Sequence, residues 1–405
     1  MATIELSDYR TCEAALKQSE LKQSLYDQGA IVMDQVLVNL HGEEHRTRRL
    51  AEMRVFRRDF FRRYEQDVIP AIFAEVMAGI DPQQDVDLVE LGYRFMVYLA
   101  MNFAGIDLRE RSTEEFDELI RMLRTFGMAA TLGQSKTSAA EQASARTDIA
   151  QTLQAFDERF FTPSAQRRKD LLAQVDAGEL NSDELPMDVL TVLLQQQTAL
   201  AMARDMMLRE TAFYFLAGAH TSVHSLSHAM DHLLNWIEAH PEQRSALVND
   251  RDLVQRFVHE SFRLHPSSPV SKRRALAPVT FLDGQRAEPE DTVIINLRMA
   301  NRDPEIFGSA AAEFIGERSV PPGIAETGIT FGIGMHSCLG KNLAAGVLAI
   351  PGRDTPVEKR QYGTVPWIAH ALLQAGVQRS PDRPGELDAT IERETWLRYP
   401  VQFPR

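Results

Sequence analysis

The chain has 405 residues, with 44 lysines and arginines against 57 aspartates and glutamates, a formal net charge of −13. Its 44% hydrophobic and 25% charged residues are a globular composition and exclude a disordered chain, a collagen-like repeat and a coiled-coil rod. The acidic balance argues against nucleic acid as a partner, because phosphate binding needs a basic surface, and two isolated cysteines, Cys12 and Cys338, exclude a disulfide framework.

The N-terminus, MATIELSDYR, has neither a basic region nor an apolar run, so no signal peptide or membrane anchor is expected. No stretch approaches the roughly 20 apolar residues that span a bilayer. The expectation is a soluble, cytoplasmic protein. An amphipathic helix is predicted over 11–28. Residues 43–66 carry eight arginines (46, 48, 49, 54, 57, 58, 62 and 63), with Leu50, Met53, Phe56 and Phe60 at helical spacing. Helices follow over 65–79, 88–105, 114–130 and 145–160. Between the last two, GQSKTSAAEQASA (133–145) reads as a small polar loop and a candidate lid. The longest helical stretch covers 186–240 and ends near His240-Pro241; another covers 250–264 and stops at His265-Pro266. Residues 270–296 alternate, turn at Asp283-Gly284 and finish in TVIIN, a set of short strands. Residues 301–330 show no clear period. A helix begins just after Cys338, VPWIAHALLQAG (365–376) is a helical island, and 388–404 reads as strand or loop. Without repeat or linker, the prediction is one mainly α domain with small β-sheets over 1–405.

The most informative stretch is FGIGMHSCLG, residues 331–340. Gly332 and Gly334 permit positive φ and let backbone approach a flat ligand. Cys338 precedes a helix whose first N–H groups and dipole favour a thiolate. Such a thiolate is a metal ligand or a nucleophile. A structural cysteine in a glycine turn is the alternative, and the pattern alone leaves both open.

This segment resembles the haem-binding loop of the cytochrome P450 family, FGxGxHxCxG, at every fixed position. Glu260-Ser-Phe-Arg263 resembles the family's ExxR motif, its two charges one helical turn apart. ANRDPEIF (300–307), AGAHTS (217–222) and His45-x-x-x-Arg49 resemble, in order, a segment after the pocket strands, the oxygen-activation motif and a haem-propionate helix. The resemblance runs from about Tyr9 to Phe403. It implies a P450-like fold and a haem b with Cys338 as its thiolate iron ligand, a donor that favours O–O cleavage of bound dioxygen. It also implies Phe331 on the thiolate side, Gly332 and Gly340 in the cradle, and His336, His45, Arg49 and Arg274 at the propionates. Cations suit that task because carboxylates must be neutralised in a dry pocket. Arg318 would join Glu260 and Arg263 in a triad. The substrate pocket would be lined by the loop before His45, by 90–135, by Phe213–Thr221 and by Pro269–Val270.

Three departures accompany the resemblance. His220 stands where the family carries an acid before Thr221, so Thr221 and His220 are the candidates for proton delivery, with an idle, hydrogen-bonded His220 as the alternative. His220, His224, His228 and His232 recur every four residues; a structural or solvated stripe is expected, without the acidic third ligand of a zinc site. The chain also begins close to its first predicted helix, so part of the family's N-terminal region and small sheet is expected to be missing or supplied by a partner chain. After Cys338 the helix is expected to stop at Pro351-Gly352. Arg353, Lys359 and Arg360, with the arginines of 46–63, would then form a basic proximal patch; a solvated helix face is the alternative. The implied activity is monooxygenation of an apolar or amphipathic small molecule. Electrons would come ultimately from NAD(P)H through a ferredoxin or flavodoxin-type donor. The alternatives are peroxide-driven or redox-neutral haem chemistry, a non-enzymatic haem protein, and a thiol enzyme using Cys338 and His336.

Overall fold

The computed structural model describes residues 1–82, 84–349, 356 and 359–404, with the backbone alone of Arg58 and Asp59. Helices dominate, and many begin at a capping side chain. Asp8 caps α1 (Tyr9–Leu16), and α2 (Gly42–Glu52) follows. Asp87 caps α3 (Leu88–Ala104), Ser112 caps α4 (Thr113–Thr131), and Ser138 with Glu141 forms a capping box on α5 (Ala139–Phe156). The 36-residue α6 (Arg204–Ala239) runs through the larger apolar core, packed along α3. Small residues set that close approach: a Cβ on Gly92 would meet Val223 at 3.3 Å, and one on Gly218 would meet Ala100 at 3.4 Å. Asp250 caps α7 (Arg251–Leu264), which carries the ExxR pair. No helix among the described residues is long and apolar enough to cross a membrane.

A second core forms around a four-stranded sheet of β1 (Thr3–Leu6), β2 (Leu21–Gln23), β3 (Val270–Ala275) and β4 (Thr292–Asn296), in the order β1-β4-β3-β2. β1 runs parallel to β4, with Leu6 opposite Ile295; the other two pairings are antiparallel. Cys12 is buried in this core beside Leu6 and Leu16. Thr3–Leu6 thus supplies an N-terminal strand from within the chain.

Several predicted boundaries shift. The 11–28 helix stops at Leu16, because Leu21 and Gln23 pair instead with Ala275 and Arg273. The 43–66 stretch breaks after α2 at a tight turn, Met53–Val55, and resumes as Arg58–Arg63. The 186–240 stretch divides into Val189–Gln195 and α6. The 133–145 loop is cut short by the Ser138-x-x-Glu141 capping box, a signal present in the sequence. After Cys338, α8 (Lys341–Ala345) lasts only five residues and ends at Gly346, φ 71°. The chain returns at Gly363, φ 82°, to begin α9 (Thr364–Gln374). These two glycines press backbone to backbone: a Cβ on either would lie 2.2 Å from main-chain atoms of the other arm. The predicted stop at Pro351-Gly352 lies outside the described residues; the helix ends before it.

One buried network joins the helical core to the cysteine loop. Glu260 accepts from Arg263 at 2.7 Å and from Arg318 at 2.8 Å, completing the expected triad. Arg263 Nη1 also donates to the carbonyls of Asn301 and Ala311, at 2.5 and 2.7 Å. Asn301 in turn donates to Arg263 O at 3.0 Å and Thr330 Oγ1 at 2.8 Å, and accepts from Ile329 N at 2.8 Å. Gly328, φ 57°, is required here, since a Cβ would lie 2.1 Å from Asn301 Oδ1. Removing one partner strands a buried charge, so Glu260→Ala should lower stability by about 3–5 kcal/mol, read from urea unfolding. An unchanged midpoint would contradict this account.

Buried neutral histidines give the fold an acid limit. His259 donates from Nε2 to Ala345 O at 2.8 Å, and His370 Nδ1 accepts from Arg251 Nε at 3.2 Å. Burial pushes both down to about 4, with Arg251 adding to the effect on His370. Unfolded histidine titrates near 6.5, so the unfolded chain binds more protons below that pH. The contribution is therefore complete above about pH 6.5 and is lost as pH falls toward 4. Between pH 7 and pH 5 the unfolding free energy should drop by about 2 kcal/mol for each of these histidines; a flat profile in urea titrations would refute it.

Candidate functional site

The cysteine loop is closed by Cys338 N donating to Phe331 O at 2.8 Å. Gly332 and Gly334 have φ of 65° and 72°, as the sequence pattern required. Gly334 also lets the loop approach the end of α1, where a Cβ would lie 2.9 Å from Leu16 O. Gly340 has ordinary φ of −82°; its part is proximity, with its Cβ position 3.9 Å from the Cys338 sulfur. Phe331 packs on Phe262 with ring centroids 5.2 Å apart, and Lys341 Nζ lies 5.9 Å from its centroid. The Cys338 side chain opens onto a cavity of about 410 Å³ shared with Phe331, Gly332 and Leu339.

The electrostatics at the sulfur differ from the expectation. Cys338 is exposed to the open cavity, yet the protein atoms packed round its sulfur still push the thiol up, against the N–H groups of Gly340 and Lys341 and the charges of Arg49 and Lys341, which pull it down. The helix start does present its donors to the sulfur.

α2 brings cationic side chains to the cysteine loop. On one face Arg48 pairs with buried Glu210 of α6 at 2.9 Å, and Glu52 accepts from the Tyr214 hydroxyl at 2.5 Å. With the helix held there, His45 lies against His336, ring centroids 4.5 Å apart, and Arg49 donates to Ser337 O at 2.7 Å. His336 Nε2 is buried with no partner among the described residues. Burial and the charges of Arg273, His45, His41 and Arg49 push the His336 imidazole well down. His45 is pushed down to about 4, by burial and then Arg49.

The expectation for Arg274, in the run Lys272-Arg273-Arg274, needs a correction. Arg274 points outward and faces Glu290 at 3.7 Å, whereas Arg273 is buried, donates to Gln23 and acts on His336. The strand alternates, and Ala275 points inward; counting two residues back from it gives Arg273. The eight arginines of 46–63 also divide: Arg48 and Arg49 turn inward, while Arg46, Arg54, Arg57 and Arg63 are exposed. Of the remaining expected patch, Lys359 is exposed and Arg360 pairs with Asp252. The Arg58 side chain and Arg353 lie outside the described residues.

On α6, Thr221 donates to Ala217 O at 2.8 Å and, with Phe213 and Ala217, forms a partly exposed stripe at helical spacing. His220 turns to the α3–α4 side: its Nδ1 lies 3.1 Å from the Tyr93 hydroxyl and its Nε2 3.3 Å from His224 Nε2. Sequence reasoning missed Tyr93, whose position no local pattern announces, and the Asn301–Thr330 support of the loop.

The sequence profile of the Cytochrome P450 family matches residues 3–348. Pulcherriminic acid synthase of Bacillus subtilis (strain 168) is 26% identical over 322 residues, covering 78% of this chain and 72% of that protein. Luteothin monooxygenase of Streptomyces thioluteus is 28% identical over 234 residues, 57% of this chain and 50% of that protein. Among solved structures, CalO2 superposes with a TM-score of 0.72 at 19% identity, covering 98% of this chain and 90% of that one. P450BioI, in complex with an acyl carrier protein bearing hexadec-9Z-enoic acid, gives 0.73 at 18% identity, covering 98% and 91%. The profile match over most of the chain, the shared fold and the cysteine loop held by its ExxR network agree: the chain is a member of the cytochrome P450 family, a haem-dependent oxidoreductase of the monooxygenase class.

Proposed function

We propose that this chain holds haem b with Cys338 as the iron ligand and oxidises an apolar or amphipathic small molecule with dioxygen, by hydroxylation or a related reaction. The reading places it in the cytoplasm, drawing electrons ultimately from NAD(P)H through a ferredoxin or flavodoxin-type donor. One observation carries it: a single thiol shares its surroundings with cationic groups whose partners are neutral. Arg49 donates to Ser337, Arg273 to Gln23, and His336 Nε2 has no partner among the described residues. That donor set fits a metal macrocycle bearing two carboxylates.

When bound, haem supplies the binding and reductive cleavage of dioxygen, which thiolate donation favours. Arg49, Arg273, His45 and His336 would bind and orient the propionates. Phe331 would shield the sulfur from water. Phe213 and Ala217 would offer an apolar wall to substrate. Thr221 would hold a proton at Oγ1 and pass it on, since a hydroxyl both accepts and donates. The names of the relatives, a pulcherriminic acid synthase and a luteothin monooxygenase, support small molecules as the substrate class.

The first test is the absorption spectrum of the reduced protein under carbon monoxide. A Soret band at the thiolate-ligated position is expected, and its loss in Cys338→Ser. Persistence of the band in that variant would refute the ligand assignment. Arg273→Leu should weaken haem retention by about 10- to 100-fold, the range for a lost hydrogen bond to a charged group, while Arg274→Leu retains haem like the parent; heme transfer to apomyoglobin reads both. Turnover with oxygen and a reductase is expected, and Thr221→Ala should cut product formation on the order of 10²-fold. Turnover with peroxide alone would favour the peroxide-driven alternative that His220 suggests. For the electron donor, Arg54→Glu with Arg57→Glu should slow reduction by an acidic partner and flatten its salt dependence; unchanged rates across ionic strength would exclude that surface.

A further inference from the structure

A line of imidazoles leads away from Thr221 along α6 to the protein surface. His220 is lodged against Gly127, where an added Cβ would lie 2.9 Å from its ring, and Nε2 of His220 lies 3.3 Å from Nε2 of His224. Two imidazole nitrogens at that distance share one proton, with one ring donating and the other accepting. The other ring nitrogen of His224, Nδ1, is buried and has no partner among the described residues. His224 lines a cavity of about 10 Å³ with His228, His265, Arg393 and Glu394. That is room for about one water, in polar surroundings. Beyond it, His228 stacks on His265 with centroids 4.3 Å apart and an interplanar angle of 16°. His228 Nε2 donates to Glu394 O at 2.6 Å. His265 Nδ1 lies 3.6 Å from the Glu394 carboxylate, whose side chain is 43% exposed.

A structural or solvated stripe was expected for these residues, and burial excludes the solvated form: His224 and His228 are both buried. Burial pushes His220 down to about 3, helped by Arg393 and Arg124, and pushes His224, His228 and His265 down as well. Arg298 and Arg302 add to the effect at His265, while Asp231 and Glu394 oppose it at His228. The rings are therefore neutral at pH 7. A neutral imidazole accepts a proton on one nitrogen and releases one from the other; an imidazolium only donates.

We propose that His265, a water in the small cavity, His224 and His220 form a proton conduit from the Glu394 carboxylate at the surface to His220, the residue before Thr221 on α6, whose Nδ1 meets the Tyr93 hydroxyl. This rests on the function proposed above, in which Thr221 passes protons. One proton enters from solvent at Glu394 and one leaves from His220 Nδ1 to the Tyr93 hydroxyl, which passes on its own; each ring ends in the other tautomer and turns back before the next transfer, and nothing is oxidised or reduced. Tyr93 thus both orients the last ring and takes its proton.

Two variants test the conduit. His224→Gln keeps a buried polar side chain but cannot relay a proton, and Glu394→Gln removes the surface carboxylate with little change in shape. Solvent exchange of the His220 ring N–H is followed by NMR of isotope-labelled histidine, in the haem-loaded protein as its diamagnetic ferrous carbonyl. Exchange should be at least tenfold slower in both variants than in the parent. Product formed per electron consumed should fall about tenfold in His224→Gln, with the substrate-induced spectral shift unchanged. Parent-like exchange in both variants would overturn the conduit even where turnover persists. Should the chain bind haem yet fail to turn over, the proposed function falls, while the exchange comparison still decides the conduit. If His224→Gln fails to fold, Glu394→Gln, altered only at the surface, decides it alone.

Discussion

The buried Arg263 guanidinium is the constraint around which the site is organised. A charge so far from water is tolerated only when every donor is used. Its five N–H groups meet Glu260 and the carbonyls of Asn301, Ala311 and Glu313. Those carbonyls belong to an irregular stretch with little secondary structure to hold it. Asn301 then ties the same stretch to Ile329 and Thr330, immediately before the cysteine loop. An ion pair on one helix thereby sets the position of a sulfur more than seventy residues later in the chain.

The cavity and the long helix behind it use opposite electrostatic strategies. At the His336 end, guanidiniums and imidazoles converge on neutral partners, an arrangement that is repulsive by itself and suits an anionic ligand. Along α6, imidazoles are buried without carboxylates close enough to charge them, except near the surface at Glu394 and Asp231. The first arrangement holds charge in place; the second stays neutral and offers both donor and acceptor nitrogens.

The match between pattern and structure was closest where chemistry is carried by consecutive residues. The cysteine loop, with its positive-φ glycines, and the ExxR turn depend on local spacing, and both fold as their motifs imply. The choice between Arg273 and Arg274 also had a local signal, the strand alternation anchored by Ala275. The fate of the arginine run had none: Arg48 turns inward because Glu210, far along the chain, is there to receive it. The early end of α8 likewise arises from the contact of Gly346 with Gly363, two arms that meet only after folding.

The sequence by itself determined the family, the ExxR pair and the mainly helical character with small sheets, because each is written in short-range periodicity or in a compact motif. The tertiary structure decided which cations meet the cysteine loop, and that four histidines spaced for one helix face meet Tyr93, His265 and Glu394 rather than water. The physical reason is that burial and pairing are properties of neighbours in space. A period of four residues says which side chains share a face, but only packing decides whether that face meets solvent, a core or a second row of imidazoles.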